Sequence, residues 1–282
     1  MDVCSRTTRA RPRCTVRGCE QPLDLGERAW RCAAGHSFDV AHSGYVNLLQ
    51  PQDRRSRRAG DAREAVLARE RLARAGIGVA LFDAIRSRMA ELGFGRGHAV
   101  LDAGSGPGFL LSSLADALGI EGWGLDLSVP AIERAARADP RCRWIVANAD
   151  RALPFEDGSF ACVLSARGPK NWREFRRVLA ATGRCLVAVP GPDDLVELRA
   201  ELLGEGRALA RAEAVLEATR GVLRCERREA VRERRRLGRS DLADLLRATY
   251  RGARRSREAR LEALGEELEV TLSDELLVFA PP

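Results

Sequence analysis

Cys14, Cys19, Cys32 and His36 stand in the spacing C-x4-C-x12-C-x3-H, two close pairs separated by a loop. Three thiolates and one imidazole arranged in such pairs can close a tetrahedron around zinc, a d10 ion with no redox chemistry of its own. Gly18 precedes Cys19 and Gly35 precedes His36, which suits the tight turn each pair requires. A closed site of four protein ligands is structural, and its metal would fold a segment too small to hold its own core. Cys4 and His42 are competing ligands, and ordinary free cysteines are the alternative reading.

A second constellation begins at Asp102-Ala103-Gly104-Ser105-Gly106-Pro107-Gly108. Glycines at alternate positions permit a sharp turn and let a ligand lie against main-chain N–H groups with no Cβ in the way. Dinucleotide binding calls for G-x-G-x-x-G, whereas here the third glycine comes one residue sooner and an acid precedes the first by two. Asp102 can engage a cationic amino group, and Asp126 can accept both hydroxyls of a ribose. That pair describes S-adenosylmethionine better than a dinucleotide. Leu127 follows Asp126, and Asn148-Ala149-Asp150 falls where an adenine edge would be read. The expected cofactor contacts are therefore Asp102, Gly104, Gly106, Gly108, Asp126, Leu127, Asn148 and Ala149. A dinucleotide dehydrogenase and a non-catalytic relic remain the alternatives.

These residues must be positioned by alternating strands and helices. Short apolar runs at Ala99 to Leu101, Gly122 to Leu127, Trp144 to Ala147, Phe160 to Ser165 and Arg184 to Val189 predict parallel strands. Helical patterns separate them at Leu110 to Leu118, Val129 to Ala138 and Trp172 to Ala180. This is an α/β, Rossmann-like sheet, with a ligand expected at the carboxyl ends of its strands. Asp61 to Leu92 reads as one or two helices. Further helices are expected at Asp194 to Leu203, Leu209 to Thr219 and Ser240 to Ala248, and terminal strands near Leu223 to Arg228, Leu268 to Leu272 and Glu275 to Phe279. Three segments result: a metal-binding module at 1–50, a helical linker at 51–95 and the sheet domain at 96–282.

The 282 residues carry a net charge of +7, with 45% apolar and 31% charged side chains. No apolar run approaches the roughly 18 residues a membrane span needs. The beginning at Met1-Asp2-Val3-Cys4 lacks the basic-then-apolar pattern of a secretory signal, so the expected compartment is the cytoplasm, where the eight cysteines stay reduced. Lys170 is the only lysine. Arginines cluster at Arg54, Arg55, Arg57 and Arg58 and again at Arg232, Arg234, Arg235, Arg236 and Arg239, a placement suited to a phosphate backbone. For the second cluster a solvated helix face has equal standing, because Glu226, Glu229 and Glu233 interleave with it. Cys142, Cys162 and Cys185 read as small buried hydrophobes, and Phe38, Tyr45 and Trp172 as packing.

The Asp102–Gly108 motif, Asp126 and the run Leu153-Pro154-Phe155 with Asp157-Gly158-Ser159-Phe160 resemble class I methyltransferases. With Cys14, Cys19, Cys32, Gly35 to Asp39, Gly44 to Leu49, Arg55-Ser56-Arg57, Gly60-Asp61 and Pro190-Gly191-Pro192 added, the chain resembles the 23S ribosomal RNA (guanine-N1)-methyltransferases, some of which confer macrolide resistance. The resemblance spans about residues 14 to 205. It implies a zinc ribbon that recognises RNA, an S-adenosylmethionine domain, and methyl transfer to N1 of a guanine in a ribosomal RNA hairpin. It also implies cofactor-pocket roles for Asp61 and Arg69, which otherwise read as a helix cap and a solvated face. Where the family has an aromatic residue after the fourth strand, this chain has Arg167. Where relatives carry a late Pro-Phe-x-Trp run, it has Tyr250-Arg251-Gly252-Ala253-Arg254. By placement after strands three and four, Asp150, Arg167 and Asn171 are the candidate catalytic residues, with Lys170 a further candidate to polarise guanine O6. The expected partner is ribosomal RNA, with no membrane, the chain acting alone or as a homodimer. A small-molecule methyltransferase and a non-catalytic zinc-containing RNA-binding protein remain open.

Overall fold

A computed structural model describes residues 9–53, 60–203, 210–249 and 265–282. The arginine cluster at 54–58, Cys4 and the 250–254 stretch lie outside the described residues. The chain opens with three very short strands, β1 (Asp24–Leu25), β2 (Ala29–Arg31) and β3 (Ser37–Asp39), paired antiparallel in the order β1-β2-β3. Strand β4 (Val46–Asn47) then leaves the small sheet and joins the edge of the large one, parallel to β7 (Arg143–Val146).

Helices α1 (Arg63–Arg74) and α2 (Val79–Glu91) follow, divided where Gly76 and Gly78 take positive φ. The remaining elements are β5 (Ala99–Ala103), α3 (Phe109–Leu118), β6 (Glu121–Asp126), α4 (Val129–Ala138), β7, β8 (Phe160–Ala166), α5 (Trp172–Val178), β9 (Leu179–Pro190), α6 (Val196–Leu203), α7 (Arg211–Ala218), β10 (Arg224–Gly238), α8 (Arg239–Thr249) and β11 (Glu267–Ala280). Eight strands run in the order β10-β11-β9-β8-β5-β6-β7-β4, with β11 antiparallel to both neighbours and the strands from β9 to β4 parallel. The order reverses between β5 and β8, and an open sheet of this kind leaves a crevice at the strands' carboxyl ends there.

The sheet is buried on both faces through its parallel core, while β10 at its edge is largely exposed. Trp123, Phe155, Phe160, Phe175 and Phe279 fill one side, and Met89, Leu111, Leu114 and Trp144 the other. Trp144 occupies the space left by two absent side chains: a Cβ at Gly124 would lie 2.2 Å from its ring and one at Gly108 2.4 Å away. Its indole N–H donates to the Asp139 carbonyl at 2.8 Å, which fixes the ring in place. Gly124→Ala is therefore expected to destabilise the protein by about 1–3 kcal/mol, read as a lower denaturant midpoint with an unchanged slope.

Two expectations for the C-terminal part are corrected. The segment Arg224–Gly238 is a single long strand, so the second arginine cluster is not a helix face except for Arg239, the first residue of α8. Its inward positions Glu229, Val231, Glu233, Arg235 and Leu237 recur at period two, the sheet period, and every residue from Arg227 to Gly238 has a partner on β11. The two terminal strands expected at 268–279 are one, because Ser273 and Asp274 find partners in place: Ser273 N–H donates to Asp194, and Asp274 receives the Arg167 guanidinium. This hairpin projects beyond β9, and α1, α6 and α8 pack on it through Leu72, Leu198, Leu242, Leu245, Leu246, Val270 and Leu272. The Arg71 guanidinium donates to both oxygens of Asp244, at 2.5 and 2.6 Å, and ties α1 to α8. No helix among the described residues is long and apolar enough to cross a membrane.

Candidate active site and metal centre

The four expected metal ligands meet. Cys14 Sγ and Cys32 Sγ each lie 3.4 Å from His36 Nδ1, and Cys19 Sγ lies 3.7 Å from Cys32 Sγ. All four donor atoms fall within 4.8 Å of one another. A zinc tetrahedron with bonds of about 2.0–2.3 Å has edges of roughly 3.3–3.8 Å, so the three shortest separations already match. His42 is not a member of the cluster. Three sulfurs and one nitrogen leave no open position, which makes the centre structural. The module docks on the sheet domain: Trp30 lies 6.2 Å from Trp123, Arg13 N–H donates to the Pro154 carbonyl, and Thr15 Oγ1 donates to the Leu48 carbonyl at 2.6 Å.

A cavity of about 1110 Å³ opens at the strand ends. It gathers Gly60, Asp61, Arg69, Asp102, Gly104, Gly106, Asp126, Leu127, Asn148, Ala149, Asp150 and Arg167. The glycine turn is pinned by Gly104 N–H and Ser105 N–H, both donating to the Leu125 carbonyl, and by Gly106 N–H donating to Asp126 Oδ2 at 3.0 Å. Asp126 Oδ1 accepts from Ser128 N–H at 2.8 Å, so the carboxylate is held before any ligand arrives. Gly106 has φ +54° and no atom within 4 Å of where a Cβ would stand, which leaves its backbone open to a ligand. Gly104 is required by contact instead, since its Cβ would meet Pro169 at 2.6 Å. Gly108 packs under Trp144 and does not line the cavity.

Asp102 is 2% exposed, and its carboxyl has no hydrogen-bond donor or cation beside it among the described residues. Burial, with the neighbouring Asp126, pushes it up to about 7. Burial raises Asp126 as well, against the N–H groups of Ser128 and Gly106 that pull it down. A buried and a half-buried acid facing an open turn fit a ligand that carries positive charge and hydroxyls, as S-adenosylmethionine does. On the rim, Arg69 forms an ion pair with Asp61 and donates to the Ala248 carbonyl at 2.9 Å, so both residues belong to the cavity; Ala62 is the helix cap.

The candidate catalytic residues are only partly brought together. Asp150 and Arg167 line the main cavity, while Asn171 lines a smaller pocket that shares Asp150 and Lys170 with it. Asn171 Nδ2 donates to the carbonyls of Ala149 and Arg151 and holds that loop. Arg167, at φ +56°, donates to Asp274 at 2.7 and 2.9 Å and to Asp194 at 2.9 Å. Its guanidinium is committed to these carboxylates, which are 7% and 9% exposed at the side chain. Trp172 packs on Phe175 and Phe279, as expected. Cys142, Cys162 and Cys185 are buried. Lining residues missed in the sequence include Phe82, Arg199 and Arg211; in so arginine-rich a chain no local signal separates the last two from solvated charge.

Residues 14–57 match the family model described as RlmA, N-terminal, a zinc ribbon, and residues 100–188 match the methyltransferase domain. A protein of Micromonospora griseorubida, assigned as a 23S rRNA (guanine-N(1)-)-methyltransferase, is 40% identical over 205 residues, 66% of this chain and 68% of that protein. The chain belongs to the 23S rRNA (guanine-N1)-methyltransferase family. It is an S-adenosylmethionine-dependent methyltransferase with a structural zinc site. A second family member, the 23S rRNA (guanine(748)-N(1))-methyltransferase of Streptomyces fradiae, is 39% identical over 182 residues; the match spans 64% of each chain, slightly under two thirds of that enzyme. Among solved structures, a protein of Bacillus halodurans assigned as a methyltransferase superposes with a TM-score of 0.51 at 14% identity, over 70% of this chain and 98% of that one. That likeness establishes the fold alone.

Proposed function

We propose that this chain transfers a methyl group to N1 of a guanine in 23S ribosomal RNA, in the cytoplasm. The observation that carries the reading is one cavity in which a cofactor cradle of Asp102, Asp126 and the open Gly106 turn faces a wall formed by Asp150, Arg167 and Lys170. The names of the relatives from Micromonospora and Streptomyces support the acceptor. In this reading residues 1–50 serve RNA recognition, 51–95 connect, and 96–282 carry the transfer.

When bound, S-adenosylmethionine supplies an electrophilic methyl carbon on a sulfonium. Asp126 holds the ribose hydroxyls, Asp102 faces the ammonium group, and Leu127, Asn148 and Ala149 border the adenine. The protein's main contribution is alignment of nucleophile and methyl carbon. Guanine N1 is a pairing-edge atom, so the target base must be unpaired or flipped to reach the cavity. Asp150 engages the N1/N2 edge and Lys170 polarises O6; as the N1–methyl bond forms and the methyl–sulfur bond breaks, S-adenosylhomocysteine would leave and the N1 proton would pass to water. Arg167, fixed by Asp194 and Asp274, shapes the wall beside the base, and Asn171 positions the Asp150 loop.

The acids of the cradle make cofactor binding depend on pH. Below about 7 the Asp102 carboxyl is protonated in the free protein, so docking a cation beside it requires loss of that proton. Affinity for S-adenosylmethionine is expected to rise between pH 5.5 and 7.5, by at most roughly tenfold per pH unit for one proton. Asp102→Asn should flatten most of the rise in a calorimetric titration; a flat profile for the unaltered protein contradicts the assignment.

The function is tested with labelled S-adenosylmethionine and 23S rRNA from a strain lacking the gene. Label is expected in the RNA. Label that stays off RNA while small-molecule extracts accept it supports a small-molecule methyltransferase instead.

A further inference from the structure

Most of the cavity's cations stand on one side, together with Asp150, Asp194 and Asp274. On the side of β5 and β6 stand Asp61, Asp102 and Asp126 with a single cation, Arg69, already paired to Asp61. Arg167, Lys170, Arg199 and Arg211 line the cavity from the segments that follow β8 and β9. Of these, Arg167 is neutralised by Asp194 and Asp274. Arg199 on α6 and Arg211 at the start of α7 form no ion pair among the described residues. Nε and Nη2 of Arg199 are buried and meet no acceptor among the described residues. Arg88, which is buried, also leaves its Nε without an acceptor among the described residues, but its two terminal nitrogens are tied to Glu91 and Glu229, whereas half-buried Arg199 has no carboxylate partner there at all. A buried N–H without an acceptor is destabilising, and an oxyanion would relieve that cost. The positive field is felt locally: burial, and then the charge of Arg211, hold the Lys170 ammonium below the usual lysine range.

We infer that Arg199, with Arg211, binds a phosphodiester of the acceptor strand next to the target nucleotide. The inference rests on the RNA reading above. A guanidinium fork matches two phosphate oxygens, and a base drawn into the cavity brings its flanking phosphates to the rim. The position favours the acceptor over the cofactor's own carboxylate, which shares a carbon with the ammonium beside Asp102, because α6 packs on β11, with β9 and β8 between it and β5.

The test compares the full chain with Arg199→Gln, Arg199→Lys and Arg211→Gln. Binding to protein-free 23S rRNA transcribed in vitro is measured across a salt series, beside calorimetric titration with S-adenosylmethionine. Arg199→Gln is expected to weaken RNA binding about tenfold and to reduce the slope of log K against log salt by about 1, with cofactor affinity within twofold of the parent. Arg199→Lys should restore the slope. Arg211 is exposed at the helix start, so Arg211→Gln should fold and show the same loss of slope even if Arg199→Gln does not fold. Equal loss of cofactor and RNA affinity would assign the anion to the cofactor carboxylate and overturn the inference. So would an unchanged salt slope in both glutamine variants. Absence of salt-dependent RNA binding by the unaltered protein would instead remove the RNA reading itself.

Discussion

Cys32→Ser is expected to strip the protein of its metal, from about one zinc per chain to nearly none by mass spectrometry of the purified protein. The small sheet has strands of only two or three residues, far too few to bury a core of their own. Zinc coordination supplies about 10–16 kcal/mol in isolated zinc-binding peptides, so the metal is the main reason this segment folds. Cys14, Trp30, Cys32 and Phe38 are continuous with Trp123 and Phe155 of the sheet domain. Loss of the metal should therefore uncover Trp123, shift tryptophan emission to the red and lower the thermal midpoint by several degrees. His42→Ala should keep its zinc, because His42 lies outside the cluster. Full zinc retention in Cys32→Ser contradicts the ligand assignment.

Gly106→Arg should reduce S-adenosylmethionine affinity by at least about 100-fold. The open space over Gly106 is what exposes the backbone of the turn, and an arginine there fills it with side chain. The positive φ adds strain of about 1–2 kcal/mol, too little to unfold a domain of this size. Retained far-ultraviolet dichroism together with lost heat of binding is the expected pair of results. An affinity within a few-fold of the parent would mean that the cofactor lies elsewhere.

The zinc ligands and the glycine turn with its two acids were legible because their chemistry is local. C-x4-C-x12-C-x3-H and D-x-G-x-G-x-G place their donors within one short segment, and Asp126 follows at the next strand tip. The parallel core was legible for the same reason, each apolar run closing one βα unit. The C-terminal hairpin was not. Its outward arginines are compatible with either a helix or a strand, and the choice is made by pairing with β11, about 40 residues away. Nor could the role of Arg167 be read locally, since Asp194 and Asp274, the carboxylates that hold it, lie 27 and 107 residues further along the chain. Asp61 and Arg69 stood between two readings until the fold put both in the cavity. Arg199 was hidden by abundance: one arginine among many in the sequence, it is distinguished only by the partners it lacks.

Primer extension across 23S rRNA treated with the protein and S-adenosylmethionine reads the modification at its own atom, because a methyl group on N1 blocks base pairing. One new cofactor-dependent stop beside a guanine is expected, absent with Gly106→Arg. Read-through of RNA that has nonetheless acquired a methyl group would place the modification away from N1 and contradict it.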